Sequence, residues 1–547
     1  MSSPRTRWFG LLFVSLGISL IIVDSTIINV SIPAIIEDLG ISSTQVQWVQ
    51  ESYTLVFAAL LLVFGSLADR FGRRRVMIIG MTLFTIASVF AGFAQDGNLL
   101  ILARVFQGLG GAMVLPTTLS LVNANFQGKE RGIAFAVWGS TIGGMVAVGP
   151  LLGGWLTTDF SWRWAFGINV PLGIIIIVGA LLTVVESKET GPARRIDWGG
   201  AVLSVVAMST LVFGLIEGRS YGWWLANKPF EIGTWTWPFE LSVIPVCFAV
   251  FVISVAWFIW HGIARSRTGK PALIAFNLFA IPSFRNGNIA AMIIALGEFG
   301  IILSLPLWLQ FVVGYNALST GFVLLALAAG AFLASGLAGG LGRRVPPVRM
   351  VQLGILLELI GVTGVGFAIS PTTGWAEVTP FLFVYGIGVG LATAQLTGVV
   401  LKDVPVSESG QASGTQSTSR QLGSALGIAV LGTVLFTSLQ IQLTNSLTDQ
   451  GLPADTVTSV VSAVVDSSGG AILGLEKDPA SADVVVAAKQ AVSDGTRYSA
   501  FAAAAFLVLG FLSTLRLNGA GSNATNAAST PTTSAPKSTT TSAPKKK

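Results

Sequence analysis

Several ionisable residues lie inside long apolar stretches of this sequence, where a charge is costly. They are Asp24, Glu51, Arg104, Glu298, Glu358 and Arg420. A charged side chain at the centre of a bilayer costs about 2.5 to 3.5 kcal/mol on insertion scales, so residues of this kind usually serve a function. Carboxyl groups in such surroundings can bind and release a proton, and their charge can attract a cationic ligand. These residues therefore point to proton or ion exchange within a membrane.

The composition is that of a membrane protein. Of the 547 residues, 52% are hydrophobic and 11% are charged, and the mean hydropathy is +0.74, which a soluble globular domain would not show. The single cysteine, Cys247, excludes an internal disulfide, and the single histidine, His261, excludes a histidine-built metal site. We expect both to be ordinary packing or helix-end residues. No P-loop sequence is present, so any pumping must use an ion gradient. We predict no enzyme activity, no cofactor, no metal site and no nucleic-acid partner.

The hydropathy pattern predicts how the chain crosses the membrane. A span needs about 20 apolar residues, and the sequence predicts fourteen such spans. If the N-terminus is cytoplasmic, most of the 32 Lys and Arg residues fall on cytoplasmic segments, which predicts that both termini are cytoplasmic. The first apolar run is too long for a signal peptide and lacks a small-residue cleavage site. We therefore expect a retained first helix in a multi-pass protein of a bacterial plasma membrane.

A basic turn from Gly65 to Arg75 is repeated imperfectly later in the chain. In the second copy Gly339 stands where the first has Asp69. The residues that match between the copies are Ala68, Gly72, Arg73 and Arg74 with Ala338, Gly342, Arg343 and Arg344. The two turns follow predicted spans two and ten. The repeat thus predicts two six-helix bundles with two inserted helices between them, a parallel duplication known for transporters.

This repeat divides the chain into four parts. An N-terminal six-helix bundle covers residues 1–190, and two inserted transmembrane helices cover residues 191–270. A C-terminal six-helix bundle covers residues 271–518 and includes an external segment, 439–497, that is too polar to span. Residues 519–547 are Ser, Thr, Ala, Pro and Lys in the main, which predicts a disordered cytoplasmic tail. The expected fold class is an all-α polytopic membrane protein with fourteen transmembrane helices.

Asp24 and Arg104 are expected at similar depths in the membrane. At the helical rise per residue, Asp24 lies ~24 Å from the cytoplasmic end of its span and Arg104 ~9 Å from the external end of its own. An ion pair would favour the ionised carboxyl and burial would favour the neutral one, so a rearrangement that separates the two residues would act as a proton switch. The alternative is a fixed structural ion pair.

The remaining buried acids are candidates for a substrate cavity. Glu298 and Glu358 fall roughly 15 Å from the cytoplasmic edge of their spans. We expect each to be protonated at rest or to face a water-filled cavity that accepts protons or a cationic substrate. Arg420 is comparably deep and could neutralise one of them, which is the structural alternative. Glu51 is expected at the outer mouth of span two, as a solvated rim residue or a further cavity residue.

The predicted fifth span is rich in small residues. It carries Gly139, Gly143, Gly149, Pro150, Gly153 and Gly154. Small residues at four-residue spacing let helices approach closely, and that alone could explain several of them. Pro150 adds a bend, which indicates a helix that moves against its neighbour.

These motifs together resemble a known family, the fourteen-helix drug:proton antiporters of the major facilitator superfamily. The turn from Gly65 to Arg75 resembles the superfamily's loop between helices two and three. This implies that Asp69, Arg70, Gly72 and Arg73 form a cytoplasmic gate. The resemblance extends over nearly all predicted spans and implies the major facilitator fold.

Other segments carry the same resemblance. Residues 102–112, with Arg104, Gln107 and Gly108, are similar to the helix-four motif whose arginine is associated with proton transfer. Residues 139–154 resemble the helix-five motif of exporters. Residues 24–33, 162–173 and 411–427 resemble segments typical of the fourteen-helix group.

The resemblance implies a proton-coupled efflux transporter that exports amphiphilic compounds, cationic drugs among them, by alternating access. Asp24 and Arg104 would couple transport to protons, and Glu298 would line the cavity. The expected partners are a small-molecule substrate, protons and the lipid bilayer, and we expect a monomer. One alternative is a dedicated exporter of an endogenous metabolite, lipid, siderophore or amino acid. Another is a membrane sensor or scaffold that transports nothing. The shared motifs do not identify the substrate.

Overall fold

The structure is a computed structural model of the chain. It describes residues 4–126, 128–188, 197–232, 235–268, 270, 272–274, 276–341, 345–404 and 409–515. Within the helices, the side chains of some residues, Asp69 among them, lie outside this description. The second copy of the basic turn, Gly342 to Arg344, and the tail from residue 519 also lie outside it.

The first half of the protein is a bundle of helices joined by short turns. Its helices are α1 (Pro4–Leu39), α2 (Ser43–Phe71), α3 (Arg73–Gly92), α4 (Gly97–Asn125), α5 (Gly128–Asp159), α6 (Trp164–Gly167) and α7 (Asn169–Thr183). The start of α2 is set by a capping box, in which Ser42 Oγ accepts from the Gln45 amide at 3.2 Å and Gln45 Oε1 accepts from the Ser42 amide at 3.1 Å. Asp96 caps α4 by accepting from the Leu99 amide at 2.9 Å.

The rest of the chain adds two inserted helices and a second bundle. The inserted helices are α8 (Trp198–Tyr221) and α9 (Val243–Arg267), with strands β1 (Glu231–Ile232) and β2 (Trp235–Thr236) between them. The second half comprises α10 (Pro282–Phe311), α11 (Ala317–Leu341), α12 (Pro347–Ala368), α13 (Trp375–Leu401), α14 (Ser409–Asp449), α15 (Ala454–Asp466), α16 (Ala471–Leu475) and α17 (Ala482–Leu515), with short 3₁₀ turns at Phe276–Ala280 and Pro479–Ser481.

The expectation of a purely α-helical chain misses the small antiparallel sheet. In that sheet Glu231 pairs with Thr236 and Ile232 with Trp235. Two residues per strand are too few for the alternating pattern that predicts a strand from sequence. The expected polar segment 439–497 is mostly helical, because α14 continues to Asp449 and α17 begins at Ala482.

Twelve helices in the described part of the chain are long and apolar enough to cross a membrane. One of the twelve, Trp164–Thr183, consists of α6 and α7 together. Helices α2 and α5 are not among the twelve, although they are 29 and 32 residues long, more than the ~20 residues of a span. The polytopic helical fold is thus confirmed, and the count of fourteen spans stays a prediction.

The two halves are packed together at one end of the bundle. We call the end where α1 begins the terminal end and the end where α1 stops the distal end. One apolar core joins the distal parts of α1 and α2, from Ile28 to Val49, to the second half, whereas the core near the terminal end from Leu11 to Val184 contains residues of the first half only. Gln310 on α10 also donates to the Val30 carbonyl at 3.0 Å. The distal end is therefore closed in this conformation.

Candidate functional site

Asp24 is the centre of a buried polar network in the first half. Its Oδ2 accepts from Arg104 Nη1 at 2.6 Å, and its Oδ1 accepts from Gln107 Nε2 at 3.0 Å and from Asn169 Nδ2 at 2.7 Å. Ser88 Oγ lies 2.8 Å from Gln107 Nε2 and 3.2 Å from Asn169 Nδ2. Asp24 and Arg104 are 0% and 1% exposed. The two residues that the sequence placed at similar depths are thus in direct contact.

Neighbouring helices fix the position of the Arg104 guanidinium. Arg104 Nε donates to the Val49 carbonyl of α2 at 3.0 Å, and its guanidinium carbon lies 4.3 Å from the centre of the Tyr53 ring. Gly108 permits this close contact of α4 with α2, because a Cβ there would lie 2.5 Å from the Tyr53 carbonyl oxygen. These contacts hold Arg104 to α2, so a shift of α4 against α2 would displace the guanidinium from Asp24.

Sequence reasoning did not identify Asn169 or Ser88 as members of this network. Asn169 begins α7 and Ser88 lies on α3, and both are fully buried. Their only sequence signal was a polar side chain inside an apolar run. All three direct contacts to Asp24 donate hydrogen bonds to its carboxylate, which is the arrangement of an ionised acid.

A second buried acidic group lies at the centre of the other half. Arg420 Nη2 on α14 contacts Glu298 Oε2 on α10 at 3.4 Å, and Tyr385 Oη on α13 donates to the Glu298 carbonyl at 3.2 Å. Glu358 on α12 is 0% exposed and is influenced by the charges of both Glu298 and Arg420. Its two carboxyl oxygens have no hydrogen-bond partner among the described residues. The structure thus brings Glu298, Glu358 and Arg420 together.

Glu51 does not lie at a solvated rim, so that expectation is wrong. Its side chain is 0% exposed and faces the backbone of Ala429 on α14. Helices α8 and α14 cover this face of α2, and a single sequence segment could not reveal that cover. Whether Glu51 lines a substrate cavity in another conformation stays a prediction.

The basic turn between α2 and α3 is held by an acid that the sequence analysis did not single out. Glu186, which follows α7, accepts from the Arg74 amide at 3.0 Å and from the Arg75 amide at 3.2 Å. The Arg73 amide donates to the Ser187 carbonyl at 3.0 Å. Gly72 has φ +111°, and a Cβ there would lie 2.7 Å from the Glu186 carboxyl carbon. Glycine is therefore required at this turn both by its backbone conformation and by the close carboxylate.

The remaining predicted residues of this turn are less informative. Arg70 is exposed at the end of α2, with its guanidinium carbon 5.4 Å from the centre of the Phe71 ring. The side chain of Asp69 lies outside the described part of the structure. A cytoplasmic gate built from Asp69, Arg70, Gly72 and Arg73 stays a prediction, now with Glu186 as an additional acid.

Replacing Glu186 by glutamine should loosen the turn at residues 72–75. The glutamine amide keeps one acceptor oxygen but loses the second one, and it removes the negative charge near the N-terminus of α3. The two lost contributions together stabilise the folded protein by about 1 kcal/mol. We expect a lower thermal unfolding temperature and faster trypsin cleavage at this turn. The control is Glu130→Gln, which removes a half-exposed pair with Arg7 (3.5 Å) and should cost no more than ~1 kcal/mol, often nothing measurable. Equal protection from trypsin in wild type and Glu186→Gln would refute the role of Glu186.

The glycines of α5 permit close contacts with both halves. A Cβ on Gly153 would lie 2.6 Å from the Ile27 carbonyl oxygen of α1, and a Cβ on Gly154 would lie 2.6 Å from the Ala317 carbonyl oxygen of α11. Gly149 packs against Thr26, and the Pro150 carbonyl faces Gly321 of α11. Gly139 and Gly143 belong to α5, but their surroundings lie outside the described residues. Helix α5 therefore contacts α1 on one face and α11 of the other half on a neighbouring face.

The single histidine belongs to a polar cluster at the terminal end of the inserted helices. Asp197 caps α8 through the Gly200 amide at 3.0 Å and also contacts His261 Nε2 at 2.8 Å and the Leu273 amide at 3.2 Å. Burial raises the pKa of Asp197, but the hydrogen bonds from Gly200, His261 and Leu273 outweigh it and hold the pKa below the usual value. Cys247 is a half-buried free thiol on α9. The role of these contacts is to anchor the chain that leads to α10.

The structure thus has two packed helical bundles, with an ion pair of Asp24 and Arg104 in one and of Glu298 and Arg420 in the other. The chain belongs to the Major Facilitator Superfamily, whose family model matches residues 14–428. It is 34% identical over 473 residues to the "Probable actinorhodin transporter" of Streptomyces coelicolor, an alignment that covers 84% of this chain and 78% of the relative. It is 30% identical over 519 residues to "Multidrug resistance protein Stp" of Mycobacterium tuberculosis, with 94% and 92% covered.

A solved structure supports the same fold. A bacterial homologue of the human lysosomal transporter Spinster, in an inward-facing and occupied conformation, superimposes with a TM-score of 0.64 at 17% identity, over 95% of this chain and 99% of that one. At this identity the likeness concerns the fold alone. The predicted superfamily membership and its helical fold are confirmed by these matches.

Proposed function

We propose that this protein is a proton-coupled efflux transporter, an antiporter that exports amphiphilic compounds by alternating access. The observation that carries the proposal is the buried network of Asp24, Arg104, Gln107 and Asn169, a charged group without access to solvent. Two relatives of the chain are named for multidrug resistance and for actinorhodin transport. A buried ion pair that served only to pack three helices would be energetically costly.

The geometry supports a simple exchange of partners at Asp24. In the present conformation Arg104 neutralises the charge of the carboxylate through a contact of 2.6 Å. Movement of α4 against α2 would withdraw Arg104 and leave an unpaired carboxylate in a low-dielectric site, where it gains most by binding a proton. Protonation would thus exchange with the Arg104 contact, and each state of the pair would belong to one conformation of the bundle.

Several finer features belong to the same proposal. We infer fourteen transmembrane helices, the twelve described above together with α2 and α5. Both termini lie in the cytoplasm, so the distal end of the bundle is external. The protein works as a monomer in a bacterial plasma membrane. Its bundles are residues 1–190 and 271–518, with the insertion 191–270. Glu298, Glu358 and Arg420 line the substrate path in the second half, where a partly unpaired acid would attract a cationic substrate.

The direct test is transport by the purified protein in liposomes. With an imposed pH gradient, acidic on the distal side, ethidium should move against its own gradient while protons move the opposite way, as followed by a pH-sensitive dye. Nigericin, which collapses the gradient, should stop the accumulation, and protein-free liposomes provide the blank. Ethidium movement that nigericin leaves unchanged would contradict proton coupling. No movement of any cationic, neutral or anionic amphiphile would favour the sensor or scaffold alternative.

One specific observation favours a narrower function. The actinorhodin transporter of Streptomyces coelicolor, at 34% identity, is named for a single metabolite. The second candidate is therefore a dedicated exporter of one endogenous metabolite. Comparison of secreted metabolites between a deletion strain and its parent separates the two: loss of one compound without any new drug sensitivity favours the dedicated exporter.

A further inference from the structure

Helices α2 and α14 meet along two matched stripes at the distal side of the bundle. On α2 the stripe recurs every four residues, which places its members on one face of the helix. The α2 stripe is Gln47, Glu51 and Leu55, and the α14 stripe is Gly432, Ala429 and Ala425. A Cβ on Gly432 would lie 2.5 Å from Gln47 Nε2, Glu51 faces the Ala429 backbone, and Leu55 shares an apolar cluster with Ala425. We call this contact the α2–α14 seam.

The inserted helix α8 covers the seam from the side. Val212 and Ile216 of α8 belong to the same apolar cluster as Leu55. Thr433 Oγ1 on α14 donates to the Leu215 carbonyl at 3.1 Å, and Trp48 Nε1 on α2 donates to Glu217 Oε1 on α8 at 2.9 Å. Helix α8 therefore touches both halves, and the seam is enclosed by three helices.

Glu51 is an unpaired acid at the centre of this seam. Neither of its carboxyl oxygens makes a hydrogen bond of good geometry in the described structure, and its one polar contact is with the backbone of Ala429, whose amide is already part of α14. An ionised carboxylate taken from water without a partner costs several kcal/mol, far more than a neutral carboxyl group. The closed seam therefore accommodates Glu51 only in its neutral form.

No neighbouring charge compensates Glu51. On α8 the facing titratable group is Glu217, an acid that is bonded to Trp48. Helix α14 has none between residues 425 and 432. On α10, which reaches Gly432 through Leu303, the buried acid is Glu298 beside Arg420, and on α1 it is Asp24 beside Arg104.

We propose that Glu51 is a second proton-binding site, which holds a proton while the α2–α14 seam is closed and releases it when the halves separate at the distal end. This inference rests on the proposed function as an antiporter. On release the carboxyl O–H bond breaks, the proton passes to water that enters the seam, and the carboxylate stays on α2, hydrated. A hydrated carboxylate then opposes closure until a proton returns.

The two acids of the first half are in opposite states in one conformation. Asp24 accepts from three donors, which suits a carboxylate, while Glu51 lacks a well-formed hydrogen bond, which suits a neutral carboxyl group. Opening of the distal end would wet Glu51, and movement of α4 would free Asp24. Protonation of Glu51 therefore accompanies closure of the distal end. This role differs from that of Asp24, which exchanges Arg104 for a proton.

The test measures whether opening of the seam depends on pH through Glu51. In a Cys247→Ala background, Gln47→Cys places a thiol at a fully buried seam position, and a membrane-impermeant maleimide applied from the distal side labels it only when the seam opens. The labelling rate of Gln47→Cys is divided by the labelling rate of Thr448→Cys, whose thiol is exposed. This ratio corrects for the pH dependence of thiol ionisation. We expect the ratio to rise with pH by up to about tenfold per unit.

Two variants decide the outcome. Glu51→Gln cannot lose a proton, so the ratio should stay low and independent of pH, whereas the matched control Glu217→Gln should behave like the parent. A pH-dependent ratio retained in Glu51→Gln overturns the proposal. Should Glu51→Gln fail to fold, Glu51→Asp replaces it and must keep the pH dependence, and a flat ratio in that variant overturns the proposal equally. The labelling experiment does not depend on transport. If proton coupling fails in liposomes but the labelling ratio still depends on pH through Glu51, the proposed function is refuted and the role of Glu51 is not.

Discussion

The variant Asp24→Asn is expected to lose transport while the protein still reaches the membrane. The asparagine is nearly the same size but cannot carry charge or exchange a proton, and its NH₂ group faces donors where the carboxylate accepted three hydrogen bonds. Removal of one partner of a buried pair costs about 3–5 kcal/mol. If this free-energy cost adds to the barrier of the conformational change, the transport rate falls at least about a hundredfold. The measurements are ethidium transport in liposomes and resistance of expressing cells.

Loss of stability must be separated from loss of coupling in this variant. Arg104 becomes a buried charge without its acid in Asp24→Asn, so the thermal unfolding temperature should fall. The double variant Asp24→Asn/Arg104→Gln removes both charges and should recover much of the stability, because the uncompensated guanidinium is gone. Transport should stay lost in the double variant. Full resistance in Asp24→Asn would end the assignment of Asp24 to proton coupling.

A valine in place of Gly153 is expected to disrupt the contact between α5 and α1. Even a Cβ at this position would lie 2.6 Å from the Ile27 carbonyl oxygen, and backbone atoms of a helix cannot move aside as a side chain can. Overpacking of this kind costs about 1–3 kcal/mol and shifts backbones. We expect a lower unfolding temperature and transport near background, since the same displacement reaches α11 through Gly154. Unfolding in detergent and ethidium transport measure the two effects.

The matched control is the same substitution at Gly336 on α11. No described atom lies within 4 Å of a Cβ added there, so Gly336→Val should leave both stability and transport close to the parent. If Gly153→Val and Gly336→Val behave alike, close approach of α5 to α1 is not what the glycine provides.

Much of the architecture could be predicted because hydropathy is a local property. Stretches of about 20 apolar residues predict helices that span a membrane wherever they pack, and the helices of the structure correspond to the predicted spans. The division into two bundles with an insertion, which was inferred from the repeated turn, stays a prediction. The turn at Gly65 to Arg75 also correctly marked a constrained site, but its acidic partner Glu186 lies 111 residues from Arg75 and could not be read from the motif.

The sequence alone determined that Asp24, Arg104, Glu298 and Glu358 must be buried at a cost, because each interrupts an apolar run that has to cross the membrane. Depth along a helix follows from counting residues, so a pairing of Asp24 with Arg104 could be anticipated. Tertiary structure alone decided which face of each helix meets which neighbour. It added Asn169, 145 residues from Asp24, to the network, and it enclosed Glu51 between α8 and α14 rather than at a wet rim. The physical reason is that burial depends on neighbours from distant parts of the chain, whereas hydropathy is a property of each segment by itself.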